Sequence, residues 1–190
     1  MGRWEPNTRE RLVRAALDLF TSQGYDATSV NEIADRAGTT KTTFFRHFAD
    51  KREVLFAGQD THARLLADAI AEAPDSATPL ELVGLALDAL TAVFTPERHE
   101  FAGRLRVVVA DNSELRERST YKRAGLAAAM TDALHARDVP EPMASLAAEL
   151  GVLAFYRGFD RWSDPANEQT CTALTRQALD ELRTAAATLA

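Results

Sequence analysis

A chain of 190 residues is long enough to bury a hydrophobic core without disulfides or bound metal. Its content of 46% hydrophobic and 26% charged residues is ordinary for a globular protein and excludes a long disordered chain. Cys171 is the single cysteine, which excludes an intrachain disulfide, and no apolar segment typical of a signal peptide follows Met1. No apolar run approaches the length of a membrane span. We therefore expect a cytoplasmic protein with no membrane partner.

The charge is distributed unevenly along the chain. The net charge of −6 by itself argues against a nucleic-acid partner. However, nine Lys/Arg and eight Asp/Glu lie in residues 1–53, whereas thirteen and twenty follow. Residues 36–49 hold Arg36, Lys41, Arg46 and His47 and no acidic residue. A short basic stretch is thus embedded in an acidic protein.

Capping signals predict the first two helices. Asn7 with Glu10 three residues later forms a capping-box pattern, and Gly24 is placed to end the helix that it begins. Thr28 is then predicted to cap a short second helix, which Gly38 closes.

Further signals extend the helical pattern through the rest of the chain. A short third helix is predicted at about 40–47, and a capping box at Asp50 and Glu53 predicts a long connecting helix at about 51–73. The segment 74–79, rich in proline, serine and threonine, is the clearest linker. Helical periodicity and breaks at Pro, Asn and Asp predict five further helices, at 79–94, 97–110, 113–136, 141–159 and 166–188.

The predicted fold is therefore all-α, with about nine helices. An N-terminal three-helix domain is assigned to residues 1–53, and a C-terminal helical domain to residues 54–190. Val107–Val109 has strand propensity but no partner strand, so we assign it to a helix.

The second and third helices carry a pattern suited to duplex DNA. In a helix-turn-helix the second helix enters the major groove, which is wide enough for one α-helix. Its exposed start needs short hydrogen-bonding side chains and positive charge, and residues 40–43 (Thr-Lys-Thr-Thr) supply both. Its rear face needs large apolar groups, which Phe44 and Phe48 supply.

This stretch resembles the DNA-binding signature of the tetracycline-repressor (TetR) family. The matching segments, in order and with the family's spacing, are Gly24–Ala34, Ala37-Gly38, Thr43–Phe48 and Lys51. The resemblance covers about residues 9–56. It implies a DNA-binding transcriptional regulator, most simply a repressor that binds a palindromic operator as a dimer and is released by an effector. Residues 1–53 would then be the helix-turn-helix DNA-binding domain, and residues 54–190 the helical ligand-binding and dimerisation domain.

The resemblance also implies roles for individual residues. Thr28 would contact a phosphate, and Asn31 would lie near a base or the DNA backbone. The other residues that would face DNA, in the groove or along the phosphates, are Thr40, Lys41, Thr42, Thr43, Phe45, Arg46, His47 and Lys51. The family commonly has tyrosine at the position of Phe45, so here only a ring contact is expected. It often has glycine at the position of Thr42, which here can reach a thymine methyl group.

Simpler interpretations stand beside these. Outside the motif, Lys41 and Arg46 would be solvated surface charges and His47 a half-buried hydrogen-bonding residue. Phe44 and Phe48 are assigned to the core and have no expected recognition role.

The C-terminal part carries no catalytic, metal-ligand or phosphate-loop motif, so we expect no enzyme activity, metal or cofactor. Its helices carry small and apolar residues at helical spacing, compatible with the homodimer interface that the resemblance implies or with packing inside one chain. These residues are Ala147, Gly151, Ala154, Gly158, Leu174, Ala178 and Leu182.

Large apolar and amphipathic residues on the middle helices could line a pocket for a lipophilic or amphipathic effector, or simply form the core. They are Phe94, Phe101, Leu105, Tyr121, Leu126, Met130, Phe155, Tyr156, Phe159 and Trp162. The arginine-rich region 101–118 weakly resembles actinobacterial regulators that sense acyl thioesters or other lipophilic metabolites, although surface charges are the simpler explanation of its arginines. Three alternatives stay open: a helical small-molecule binding protein without DNA function, an enzyme with a spatially assembled site, and an activator with the same DNA-binding domain.

Overall fold

The computed structural model describes residues 8–189, and within that range it contains nine α-helices, two short 3₁₀ turns and no strand. The predicted all-α fold of about nine helices is confirmed. In the described part of the chain no single helix is long and apolar enough to cross a bilayer, although the bent pair Pro79–Thr91 and Pro96–Asp111 passes by length and composition. The helices are α1 Thr8–Gln23, α2 Val30–Arg36, α3 Lys41–His47, α4 Gln59–Glu72, α5 Pro79–Thr91, α6 His99–Asp111, α7 Ser113–His135, α8 Met143–Trp162 and α9 Cys171–Ala187.

Most predicted helix ends agree with the structure. Gly24 follows α1 with φ +87°, and its amide donates to the Phe20 carbonyl at 3.1 Å, as a C-terminal glycine should. A capping box begins α5, in which the Glu81 carboxylate accepts a hydrogen bond from the Thr78 amide at 2.7 Å. The predicted cap at Asn7 lies outside the described residues.

The long connecting helix expected at about 51–73 is wrong. The structure has a 3₁₀ turn at Arg52–Phe56, and α4 begins only at Gln59. The Asp50 carboxylate accepts hydrogen bonds from the amides two and three residues later, at 2.8 and 3.1 Å. The Glu53 carboxylate, which a capping box would direct back to residue 50, instead accepts a hydrogen bond from Arg118. The reciprocal half of the box is therefore missing.

The chain divides into two compact units. The first comprises the described residues up to Ala57 together with Arg104–Ser119, and the second comprises Gly58–Gly103 with the residues from Thr120 onward. The sequence assigned everything after residue 53 to one domain, whereas residues 104–119 pack with the N-terminal helices.

Polar contacts attach residues 104–119 within the first unit. Arg104 Nη2 donates to Asp18 Oδ1 at 2.7 Å, and the Tyr25 hydroxyl donates to Glu114 Oε2 at 3.2 Å. Burial, and next the Glu114 carboxylate, raise the pKa of Tyr25. These pairs are about 86 to 89 residues apart in sequence, so no local pattern could have shown them.

In the second unit α8 and α9 approach unusually closely. A Cβ placed on Gly158 would overlap the Thr175 hydroxyl and lie 2.6 Å from its Cα and 2.7 Å from its amide nitrogen. Only glycine allows this contact. Burial in this region raises the pKa of the Cys171 thiol to about 11.

Arg137 holds the end of α4 within the second unit. Its guanidinium donates to the carbonyls of Ile70, Ala73 and Pro74 at 3.0, 2.7 and 3.1 Å. Carbonyls at a helix C-terminus lack partners inside the helix, so one half-buried arginine satisfies several of them together.

Candidate nucleic-acid interface

Helix α3 has one polar face on the surface and one aromatic face in the core. Thr40 caps the helix, accepting a hydrogen bond from the Thr43 amide at 3.1 Å. Phe44 is fully buried and its ring lies 5.3 Å from that of Phe48, which is 4% exposed. Two phenylalanines one turn apart thus fix the rear of the helix, so that its other face must point outward.

The side chains predicted to face the major groove lie on the open side. Lys41 and Thr42 are exposed, and Phe45 is 48% exposed. The Thr40 and Thr43 hydroxyl oxygens lie 3.0 Å apart, so each already has one hydrogen-bond partner. The helix therefore presents a cation, a free hydroxyl with its methyl group and an aromatic ring on one accessible face.

Helix α2 is held by Ser29, which corrects the predicted cap at Thr28. Ser29 and Glu32 form a complete capping box, and these hydrogen bonds lower the pKa of the Glu32 carboxyl. Thr28 is instead buried, and its hydroxyl donates to the Gly24 carbonyl at 2.7 Å. A hydroxyl committed inside the loop is a poor match to the phosphate contact expected of Thr28. Asn31, on the same helix, is exposed as that role requires.

The turn between α2 and α3 depends on Gly38. Its φ of +65° lies in the left-handed region, where a side chain is strained. The Gly38 amide donates to the Asp35 carbonyl at 3.0 Å, which continues the end of α2 into the turn. The predicted role of Gly38 in closing the second helix is confirmed.

Lys51 lies beside the motif but points back into it. Its Nζ donates to the carbonyls of Tyr25 and Thr28 at 2.7 and 2.9 Å. The same atom lies 3.9 Å from the centroid of the Tyr25 ring, a cation–π distance. Lys51 Nζ thus donates two of its three protons within the protein, so at most one remains for the expected phosphate contact.

His47 is half-buried near the end of α3. Its Nε2 atom is inaccessible and has no hydrogen-bond partner among the described residues. Burial, then the charges of Arg46 and Arg9, lower the pKa of His47. Arg9 was not among the predicted site residues, because α1 brings it to this position from a distant part of the sequence.

Comparison with known proteins shows which family has this helix-turn-helix. The model for bacterial regulatory proteins of the tetR family matches residues 12–57. The HTH-type transcriptional regulator TcmR of Streptomyces glaucescens is 53% identical over 47 residues, which are 25% of this chain and 21% of TcmR. An uncharacterized HTH-type transcriptional regulator, TtgW of Pseudomonas putida, is 31% identical over 108 residues, 57% of this chain and 79% of TtgW. The chain belongs to the TetR family.

A solved structure extends the likeness in fold along this TetR-family chain. The transcriptional regulator FadR from Bacillus subtilis, crystallised in complex with stearoyl-CoA, has a TM-score of 0.61 and 18% identity, over 91% of this chain and 96% of that one. At this identity only the fold is shared. In sequence, the match with TcmR covers only about a fifth of that regulator.

Four of the ten predicted pocket residues of this TetR-family chain meet around one ring. The centroid of Phe94 lies 5.7 Å from that of Phe155, 5.6 Å from Phe159 and 5.7 Å from Trp162. His62, which the sequence did not single out, lies 5.7 Å from the same ring. Adjacent aromatic residues near the end of α8 could have indicated the cluster, but nothing local connects them to His62.

Of the other predicted pocket residues, Tyr156 lies beside Phe155, with ring centroids 5.1 Å apart, and the remaining five are not part of this aromatic cluster. Leu126 and Met130 are 2% and 0% exposed and belong to the main hydrophobic core, as the alternative allowed. Tyr121 is 66% exposed, Phe101 is half-buried and Leu105 belongs to the first unit. The ten residues therefore do not form one aromatic cluster, and the effector pocket stays a prediction.

The residues predicted for a dimer interface are buried inside the chain. All seven positions are buried within one subunit, so packing inside one chain, the alternative left open, accounts for them. Gly151, for example, faces Val83, whose Cγ1 would lie 2.5 Å from an added Cβ. The small residues allow close helix packing, as expected, but the neighbouring helices belong to the same subunit.

Proposed function

We propose that this TetR-family chain is a transcriptional regulator that binds a palindromic DNA operator as a homodimer and releases it when a lipophilic effector binds. The observation that carries the proposal is α3, a short helix with buried phenylalanines behind it and an exposed Lys41 and Thr42 in front. A helix of seven residues is about 10 Å long, which fits a major groove about 12 Å wide. A helix needed only for packing would have no use for this polar face.

The test is binding to duplex DNA. Duplexes selected by the protein from a random-sequence library should share an inverted repeat, because two symmetric subunits read two half-sites. Lys41→Ala should weaken binding to the selected duplex by about 1 to 3 kcal/mol if Lys41 contacts a base, with less effect on an unrelated duplex. Failure to enrich any duplex would overturn the proposal and favour a helical small-molecule binding protein.

Repression and activation use the same DNA-binding helix, so a second measurement separates them. A reporter gene behind the selected operator should fall in expression when the protein is supplied. A rise would support DNA binding but replace the repressor with an activator.

A homodimer is supported by the outer face of α8. Met143, Leu146 and Leu153 are 51%, 60% and 42% exposed, and half-buried Leu150 lies between them. Their spacing of three and four residues places them on one stripe of the helix. Apolar side chains in such a row favour packing against the same helix of a second copy. The dimer surface is thus proposed one helical face away from the small residues that the sequence indicated.

An amphipathic effector is supported by the aromatic cluster around Phe94. At its edge Arg123 lies with its Cζ 3.8 Å from the centroid of the Tyr156 ring, which in turn lies 5.1 Å from Phe155. Aromatic rings with a cation beside them suit a molecule with a lipophilic body and an anionic head. FadR, crystallised with stearoyl-CoA, makes fatty acyl thioesters the first compounds to test.

To test the effector, operator affinity is measured in the presence of fatty acyl-CoAs of increasing chain length and of the matching free fatty acids. At least one should weaken binding by about fivefold or more, the range of ordinary coupling energies. If operator affinity is unchanged by every compound, the lipophilic-effector part fails while the DNA-binding part stands.

A further inference from the structure

Most cations of the helix-turn-helix region already have a polar partner inside the protein. Arg14, Arg36 and Arg52 each pair with a carboxylate of the first unit. Arg11 donates to the Ala37 carbonyl, and Lys51 to two other backbone carbonyls. These side chains are committed to stabilising the fold, so binding DNA with them would require breaking existing contacts.

Three cations are different. Within residues 8–57, Arg9, Lys41 and Arg46 are exposed and have neither a carboxylate nor a carbonyl partner. Lys41 belongs to the groove-facing side of α3. Arg9 and Arg46 lie elsewhere, at the first turn of α1 and the last turn of α3.

The fold brings Arg9 to the end of α3 that carries Arg46. The guanidinium carbon of Arg9 lies 5.8 Å from the centroid of the Phe48 ring. The ring of His47, which follows Arg46 in the chain, lies 6.2 Å from the same centroid. Arg9, in the first turn of α1, is thereby placed beside the C-terminal end of α3.

The electrostatics of His47 agree with this geometry. Burial, then the charges of Arg46 and Arg9, lower the pKa of His47, so both arginines act on this one ring. Among the described residues neither arginine pairs with a carboxylate, so their positive charges are available to an external anion.

We propose that Arg9 and Arg46 together bind the DNA backbone at the edge of the groove that α3 enters, holding a phosphate while residues 40–43 read the bases. This inference rests on the proposed function. The length of α3 is close to the width of the groove, so the end of the helix reaches the flanking phosphates when its start faces the base edges. Contacts to phosphate set orientation and affinity without reading sequence.

The experiment compares Arg9→Gln with Arg14→Gln. Both remove one positive charge from an exposed side chain of α1, but Arg14 already pairs with Glu10 at 2.7 Å. Binding is measured by fluorescence anisotropy on the selected duplex and on an unrelated duplex, from about 50 to about 200 mM salt. Thermal unfolding of each variant confirms that the fold is retained.

Arg9→Gln and Arg46→Gln should each reduce the salt slope of log K by about 0.9, so that wild-type affinity falls about threefold more than theirs over this range. Both duplexes should be affected by the same factor. Arg14→Gln should leave the slope unchanged. Equal slopes for wild type and Arg9→Gln, or equal changes in Arg9→Gln and Arg14→Gln, would overturn the Arg9 assignment while leaving DNA binding in place. If the wild-type protein binds neither duplex, the proposed function itself fails.

Discussion

The ammonium group of Lys51 lies over the Tyr25 ring, 3.9 Å from its centroid, while it donates a hydrogen bond to the Tyr25 carbonyl at 2.7 Å. One side chain therefore fastens the loop between α1 and α2 to the residues that follow α3. The relationship changes what Lys51 does. The family resemblance implies that Lys51 contacts a DNA phosphate, whereas in the structure its hydrogen bonds hold the helix-turn-helix together.

We predict that Lys51→Ala lowers the free energy of unfolding by about 2 kcal/mol, because two carbonyls lose a charged donor. Lys41→Ala is the matched control, since exposed Lys41 should change stability by less than about 0.5 kcal/mol while weakening DNA binding. Urea denaturation of both variants measures this. If Lys51→Ala is as stable as the wild type but its DNA-binding affinity depends less steeply on salt, Lys51 is instead a phosphate ligand.

Glycine at position 158 should prove necessary for the packing of α8 on α9. We expect Gly158→Ala to lower stability by about 1 to 3 kcal/mol, because the added methyl group would overlap the backbone of Thr175. Gly125→Ala is the control: an added Cβ meets nothing within 4 Å there, so restricting the unfolded chain should raise stability by about 0.4 to 1 kcal/mol. Equal thermal midpoints for the two variants would contradict the close contact.

Stability should fall on mild acidification, in part because of His62. Burial, and then the charge of Arg98, lower the pKa of this histidine, so below its ordinary pKa of 6.5 the unfolded chain takes up a proton that the folded protein does not. The loss begins near that value and continues as the pH falls toward the folded-state pKa. We expect a smaller loss of urea stability between about pH 7 and about pH 5.5 in His62→Phe than in the wild type.

Some dependence should remain in His62→Phe, since burial also lowers the pKa of His47. The difference between His62→Phe and wild type should be constant above about pH 7.5, where both states of His62 are neutral. Parallel curves over the whole range would show that His62 does not contribute.

The proposed dimer surface can be tested at Leu146. This side chain is 60% exposed in the subunit, so Leu146→Glu should change the stability of an isolated subunit by no more than about 0.5 kcal/mol but shift the protein from dimer to monomer. Sedimentation velocity measures the oligomeric state. Val107→Glu, at a side chain 51% exposed on α6, is the control and should leave the dimer intact. An unchanged dimer in Leu146→Glu would place the interface elsewhere.

The sequence by itself determined the helices and the character of α3. Glycines at 24 and 38, the capping box at Thr78 and the spacing of Phe44 and Phe48 are local signals, because the energies behind them act within a few residues. The family signature was also local, since it lies within one continuous stretch.

The tertiary structure decided which partner each of several side chains contacts. Glu53 could have completed a capping box, but Arg118 holds it, and the expected long helix is interrupted. The small residues of α8 could have faced a partner, but α9 and the core of the same chain cover them. Arg9 reaches the end of α3 only through packing on Phe48. In each case several partners are compatible with the local pattern, and the one chosen is set by contacts between segments distant in sequence.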